Sequence, residues 1–402
     1  MNNLFTGNNY VQTPFVGVII GDYDFGFYKE VNNVKKYPNY IQSLEVQKIN
    51  GQVNKYTLVL NYMISQFDDP NFFEKVFSSV SQTRAITFYY GDLAVQNYVY
   101  KNESALITSI KKNIDLDGSR ITYTIGAVSQ CALASSGSYT FKQYNNKKPS
   151  VRIREILDNP IYGLKDLFPG MRNKTLVDNN NLIPGDDLPQ TIYAKENISI
   201  LDYLSYLVSL MTPDVYKTEI STPSFYILTY NDDTSGIFGG AYFKISLVDT
   251  KKEHPEAFDV SIGYPGNNYV FGMSIDNDEG YSMYYDYQSS LNKEQYVKRI
   301  NEKGEYEYVY APVLSSGNSL HQTTSAERNW WSKVTQYPIK AQIKIKGLLR
   351  PTVLMSYLNV NIYFHGERYI DSGLFIITKQ VDRIDSSGYT TTLDMVRVAS
   401  NS

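Results

Sequence analysis

The chain has 402 residues, 42% of them apolar and 20% charged, with a formal net charge of −3. That composition excludes a disordered chain and a generally basic nucleic-acid binder, which carries a surplus of Lys and Arg; a local basic patch stays open. The length exceeds what one ordinary hydrophobic core holds, so about two to four domains are expected.

Cys131 is the only cysteine. No intramolecular disulfide can form, and stability has to come from packing and subunit contacts. Residues Met1 to Asn9 lack the basic head and apolar core of a signal peptide. The longest apolar stretches, such as Phe15 to Ile20, are too short for a membrane-spanning helix. A soluble protein made in a cytoplasm is expected. Tyrosine is abundant, at 37 residues, which fits β-propensity with a biased codon usage and also fits large interaction surfaces.

In chain order, Ser43 to Ile49 alternates apolar and polar residues, Asn50-Gly51 signals a tight turn, and Tyr56 to Tyr62 reads as the return strand. Asp68-Asp69-Pro70 supplies a capping carboxylate and a proline suited to a first helical turn. Phe72, Phe73, Val76, Phe77 and Val80 then recur at helical spacing. Ala85 to Tyr90, Leu93 to Tyr100 and Arg120 to Val128 read as strands, the last after an Asp117-Gly118 turn. Beyond a polar linker at Tyr144 to Pro149, Ser150 is placed to cap a short helix carrying Val151, Ile153, Ile156 and Leu157. A turn-rich stretch follows, and then the best helix of the chain. Ser199 and Asp202 resemble a capping box, and Ile200, Leu201, Leu204, Leu207, Val208 and Met211 share one face, worth roughly 10 kcal/mol gross when buried; Thr212-Pro213 stops it. Strands are expected again at Phe225 to Tyr230, Ala241 to Val248, Tyr269 to Ile275 and Tyr306 to Val313. A helix is expected at Thr324 to Val334, and strands at Ile339 to Ile345, Asn359 to Phe364, Gly373 to Asp382 and Tyr389 to Val398, the last two forming a hairpin. No short-period repeat points to a solenoid or propeller.

Chemistry-bearing patterns are scarce. His254, His321 and His365 are far apart and in no metal-ligand spacing. Cys131 reads as a small buried residue. Asp276 to Gly280 misses the calcium-loop pattern, its glycine coming one position early. Asp186-Asp187 reads as a turn, and Gly236 to Gly240 lacks the ending of a phosphate loop. No nucleophile elbow or kinase signature occurs. No catalytic, cofactor-binding or metal residue is nominated, no cofactor is expected, and the chain reads as a non-enzyme.

Ser150 to Leu157, a proline-rich stretch and Ile198 to Met211, with Asp202-Tyr203-Leu204-Ser205-Tyr206-Leu207, resemble the small helical domain of the baseplate hub proteins of phage tails and related contractile injection systems. Tyr369 to Asp382 followed by Gly388 to Leu393 is similar to their closing hairpin. The resemblance covers about three quarters of the chain in order of elements and lapses between Lys251 and Leu320. It implies an α+β, mostly β fold: two tail-tube-like β-barrels flanking a small helical domain, the second barrel interrupted by an insertion. The expected division is 1–145 for the first barrel with its short helix, 146–215 for the helical domain, 216–250 with 335–402 for the second barrel, and 251–334 for the insertion. The implied function is a structural baseplate hub in the virion tail, a homotrimeric pseudo-sixfold ring. Such a ring joins the tail tube protein to a central spike or tail-tip protein, contacts other baseplate proteins and lets DNA pass without sequence-specific binding. Two alternatives stand beside it. One is a carbohydrate- or receptor-binding tail protein using Trp330, Trp331, Tyr284, Tyr285 and Tyr287; the other is a cell-wall hydrolase with its site in the 251–320 region.

Overall fold

The computed structural model describes residues 2–3, 11–26, 35–37, 40–66, 68–80, 84–93, 100–164, 187–211, 224–231, 242–249, 257–263, 269–277, 296–300, 306–310, 339–349 and 352–400. The fold is α+β and mostly β, as the sequence leads one to expect. Strand β1 (Asn2–Asn3) pairs in parallel with Phe258 and Asp259, far along the chain, and so belongs with the last strands rather than the first. The first strand-rich unit comprises β2 (Pro14–Ile20), β3 (Tyr23–Phe25), β4 (Lys35–Tyr37), β5 (Ile41–Ile49), β6 (Lys55–Met63), helix α1 (Phe72–Ser79), β7 (Ala85–Asp92), β8 (Tyr100–Ile114) and β9 (Arg120–Ser129). Strict alternation sends Tyr56, Leu58, Leu60 and Tyr62 of β6 and Ile121, Tyr123, Ile125 and Ala127 of β9 to one face. Helix α1 covers that face. Its fully buried Phe73 has Phe25, Tyr62 and Tyr123 around it at centroid distances of 5.3, 5.3 and 5.0 Å, the edge-to-face and offset range in which aromatic pairs attract beyond their area.

The helix starts later than the capping signals suggest. Asn71 precedes it and makes no side-chain cap. Asp69 instead accepts from the Asn71 amide at 2.9 Å, an Asx turn that spends the carboxylate one step early and leaves Pro70 outside the helix. The Leu93 to Tyr100 strand is also displaced: β7 ends at Asp92, a strand resumes only at Tyr100, and 94–99 lie outside the described residues.

The middle unit holds a 3-10 turn (Gln130–Ser135), β10 (Tyr139–Phe141), β11 (Tyr144–Lys147), α2 (Pro149–Asp158), a second 3-10 turn (Pro160–Tyr162), β12 (Gln190–Ile192), β13 (Lys195–Ile198), α3 (Ile200–Leu210), β14 (Ser224–Asn231) and β15 (Tyr242–Asp249). The capping box of α3 forms: Ser199 Oγ accepts from the Asp202 amide at 3.1 Å and donates to the Asp202 carboxylate at 2.7 Å. Tyr203 joins the apolar face and stacks on Phe141 at 3.7 Å with the rings 5° apart, whereas Leu201 is only half-buried. Ser150 does not cap α2. The helix begins one residue before it, and Ser150 is buried, bound to Asp187 through both its amide (2.9 Å) and its hydroxyl (2.5 Å). Asp187, read from the sequence as turn, thus secures the start of α2 from 37 residues away.

The last unit contains β16 (Phe258–Ile262), β17 (Val270–Asn277), β18 (Tyr296–Ile300), β19 (Tyr306–Tyr310), β20 (Ile339–Lys346), β21 (Tyr357–Phe364), β22 (Glu367–Arg368), β23 (Gly373–Asp385) and β24 (Gly388–Ser400). Two placements differ from expectation. Strands β14 and β15, expected in the second barrel, pair only with each other among the described strands, and their Tyr226, Leu228, Tyr230, Phe243 and Ile245 enter the core of α2 and α3. The apolar stripe of α3 needs a cover, and this hairpin supplies it. Conversely, β16 and β17, expected in the insertion, pair with β21 and β20, and Phe258 and Val260 share a core with Ile343, Val360 and Phe375. The expected Thr324 to Val334 helix lies outside the described residues.

Candidate functional site at the junction of the strand units

Strand β23 belongs to both strand-rich units. Its first part, Gly373 to Ile376, pairs with β21, and its second, Lys379 to Ile384, pairs with β5 of the first unit. The register against β24 shifts between Ile377 and Lys379, at the handover, where a bulge lets one strand change direction. A single antiparallel run results: β17, β20, β24, β23, β5, β6, β9 and β8 are hydrogen-bonded in that order across both units.

A buried charge cluster lies beneath the handover. Lys48, Glu103 and Asp382 are 2%, 0% and 1% exposed. Lys48 Nζ donates to Glu103 Oε1 at 2.6 Å; Tyr56 OH donates to Oε2 at 2.7 Å and Tyr90 OH to Oε1 at 2.9 Å. On the β23 side, Thr391 Oγ1 and Gln380 Nε2 donate to the two oxygens of Asp382 at 2.7 and 2.9 Å. Tyr90 of the first unit and Tyr389 of the second meet edge to face at 6.1 Å. Burial first, and then the charges of Glu103 and Asp382, hold both phenols well above the ordinary tyrosine range. A buried charge is tolerated only when paired and hydrogen-bonded, so Lys48 on β5, Glu103 on β8 and Asp382 on β23 require these strands to stay in one register. Sealed from solvent, the cluster offers nothing to a substrate; its effect is to fix the two units against each other.

Neighbouring backbone groups tighten the same junction. Gly347 donates its amide to Tyr389 O at 2.9 Å and accepts from Val11 N at 2.8 Å; a Cβ there would sit 2.3 Å from the Tyr389 ring. Tyr389 OH in turn donates to Leu348 O at 3.1 Å. The Asn50-Gly51 turn is more than a hairpin tip. Asn50 N donates to Thr378 O of β23 and Gly51 N to Leu228 O of β14, at 3.0 and 3.2 Å, so all three units meet there. The hairpin loop accordingly runs from 50 to 54 rather than closing tightly.

None of the junction residues was nominated from sequence, although the signal exists: Lys48 is in phase with Leu44 and Val46 on β5, Glu103 with Ala105 and Ile107 on β8, and Asp382 with Ile384 on β23. A charge on the apolar phase of a strand marks a buried partner. Cys131 is buried, and His365 occupies the β21–β22 turn with φ of 52°. His254, His321, the Gly236 to Gly240 loop and the aromatic residues Trp330, Trp331, Tyr284, Tyr285 and Tyr287 lie outside the described residues. Among the described residues no group of three or more His, Cys, Asp or Glu is placed to hold a metal ion, and no helix is long and apolar enough to cross a membrane.

Both ends of the continuous run are open among the described strands. β17 pairs only with β20, and Ser109 to Ile114 of β8, beyond the reach of β7, pair only with β9.

Comparison with known structures adds the fold. The chain is similar to a 43 kDa tail protein of prophage MuSo2 from Shewanella oneidensis, with a TM-score of 0.52 and 11% identity over 96% of this chain and 98% of that one. It is also similar to a tail protein from Neisseria meningitidis MC58, with a TM-score of 0.54 and 8% identity over 96% of this chain and 97% of that one. The chain shares its overall fold with these two tail proteins. At such identity the agreement lies in the architecture of the tail-protein fold and not in residues. The sequence matches no protein-family model and no curated protein.

Proposed function

We propose that the chain is a structural subunit of a phage tail baseplate: a hub that assembles as a trimeric, pseudo-sixfold ring, joins the tail tube to a central spike or tail tip, and lets DNA pass through its lumen. The observation that carries this reading is β23, which stitches two strand-rich units of one chain into one antiparallel sheet. The same edge-to-edge joining, repeated between chains from the open β17 edge to the open outer half of β8, closes a ring and consumes both edges. Three chains with two units each supply six similar positions, which suits an adaptor between sixfold and threefold partners. On this reading the middle unit runs to Asp249, and the second barrel includes β16 and β17. The protein works in the virion tail after synthesis in the host cytoplasm, and it needs no catalytic group.

Solution mass measurement and negative-stain electron microscopy of the purified chain, alone and with its tail-tube and spike partners, test the proposal. Rings of three chain masses are expected. A monomer that stays single at high concentration and forms no ring with either partner refutes it.

A further inference from the structure

The sheet of the first unit is wider than the helix that covers it. Across the β8–β9 pair, Ile110, Lys112 and Ile114 lie opposite Ile125, Tyr123 and Ile121, which are buried, so all three point to the core side. Yet Ile110 and Ile114 are 43% and 60% exposed. On β8 the helix α1 holds Lys112, whose Nζ donates to Glu74 Oε1 at 2.8 Å, without sealing the two isoleucines. Between α1 and β8 lies a groove of about 290 Å³ lined by Phe77, Val80, Arg84, Ile107 and Ile110. It sits where the register of β8 shifts, between Ile107 and Ser109, at the start of the stretch Ser109 to Ile114 that pairs only with β9 among the described strands. Small-molecule pockets hold roughly 300–1,000 Å³. This groove falls just under that range and borders an unpaired strand edge, so it suits the side chains of an added strand better than a free ligand.

We infer that this groove is completed by β17 of a second copy of the chain, added antiparallel along Ser109 to Ile114 with Ile275 seated against Ile110. The inference rests on the ring reading and deepens it, by fixing the seam between chains residue by residue. Three observations select this occupant. The eight strands from β17 to β8 are all antiparallel to their neighbours, so the two ends of the run point in opposite directions. A rotation about the ring axis keeps strand direction, and the next copy's β17 therefore arrives antiparallel to β8. The second observation is a matching defect on β17. Met273 and Ile275 lie opposite the buried Ile343 and Ala341, on the core side, yet they are only half-buried, on a strand that pairs only with β20 among the described strands. The third is phase. Alternation admits only registers in which core side meets core side. With Ile275 opposite Ile110, Met273 falls opposite the aliphatic stem of Lys112 and Ser274 opposite Lys111. Asp276, which lies opposite Lys340 in its own chain, then stands diagonal to Lys111 of the neighbour, within reach of a long side chain.

The test is disulfide cross-linking between full-length chains, in which the native Cys131 is buried and silent. Lys111→Cys and Ser274→Cys are made as separate proteins and mixed under oxidising conditions. A cross-linked dimer on a non-reducing gel is expected from the mixture and from neither variant alone, because the contact joins different surfaces of two copies. Directly opposed residues sit about 4.5–5.5 Å apart, inside disulfide range. Asn113→Cys in place of Lys111→Cys is a diagonal pairing at about 7–8 Å and should cross-link poorly. Ile110→Glu places a charge in the groove at a position already open in the single chain, and it should raise the dissociation constant of the assembly at least about 30-fold in analytical ultracentrifugation. Ile161→Glu, at an exposed site of the middle unit, leaves that constant unchanged, and thermal melts establish that all variants fold. The inference is overturned by a mixture that does not cross-link, by either variant cross-linking with itself, by faster reaction of the Asn113→Cys pair, or by an assembly indifferent to Ile110→Glu or equally weakened by Ile161→Glu. Rings seen by microscopy without this cross-link remove the seam and leave the hub reading standing. A cross-linked assembly that binds neither tube nor spike keeps the seam and removes the hub.

Discussion

Replacing Glu103 by Gln tests whether the buried cluster holds the two units together. The change keeps shape but leaves the Lys48 ammonium, 2% exposed, facing a neutral amide at the position where Oε1 now lies 2.6 Å away. Breaking one side of a buried ion pair costs about 3–5 kcal/mol, because the remaining charge stays desolvated. Asp382 in the same cluster offers a second counter-charge, so the lower end, about 3 kcal/mol, is expected. Lys48→Met should cost a similar amount by stranding Glu103 with only its two tyrosine donors. The double variant removes both charges together and should cost only about 1–2 kcal/mol, since one acceptor for Tyr56 or Tyr90 persists. Urea unfolding of the full chain, followed by far-ultraviolet circular dichroism for all four proteins, gives the coupling, expected to be at least about 3 kcal/mol. The reasoning fails if either single change costs under about 1 kcal/mol or if the two are additive.

Stability should decline at alkaline pH. The pKa values of Tyr90 and Tyr389 are raised in the fold, so their contribution is complete below the unfolded value near pH 10 and is lost as pH climbs towards the higher folded values. Melting temperatures from about pH 8 to 11 should drop, and Tyr389→Phe should soften the drop; a flat profile contradicts the assignment. Asp187→Ala removes both acceptors from Ser150 and should destabilise by about 2 kcal/mol. Asp187→Asn, which keeps an acceptor and removes a carboxylate whose pKa burial raises, should cost under about 1 kcal/mol; equal melting temperatures for the two variants would show that the bonds contribute little. Gly347→Ala drives a methyl group into the Tyr389 ring and should cost about 1–3 kcal/mol by overpacking, measured by the same urea titration. An unchanged midpoint would mean that the ring moves aside freely.

Strand and helix identities were legible wherever one face alone is buried. β6, β9 and β20 alternate cleanly, and α3 carries both its cap and its stripe. Membership was less legible than identity. Phe258 to Ile262 is a short run followed by turn residues, and nothing local says that its partner is β21, about 100 residues away, or that β14 covers a helix rather than joining a barrel. β8 was missed because Lys101 to Ile114 mixes polar and apolar residues, with Glu103 pointing inward and Ile110 and Ile114 exposed. The junction needed three charges from three distant strands to be seen as one object. Each looked like a surface residue until the alternation of its own strand was read against it.

The handover on β23 also bears on how the chain is made. Synthesis runs from the N-terminus, and more than 300 residues leave the ribosome between β5 and the strand that covers its edge. Until Lys379 to Ile384 arrive, a nascent β5 offers an unpaired row of amides and carbonyls, and Lys48 and Glu103 lack the wall that Asp382 completes. Such an edge invites pairing with the wrong neighbour. Closure of the first unit therefore waits on a segment translated more than 300 residues later, and a polypeptide that stops short of it carries an exposed seam in the part made earlier.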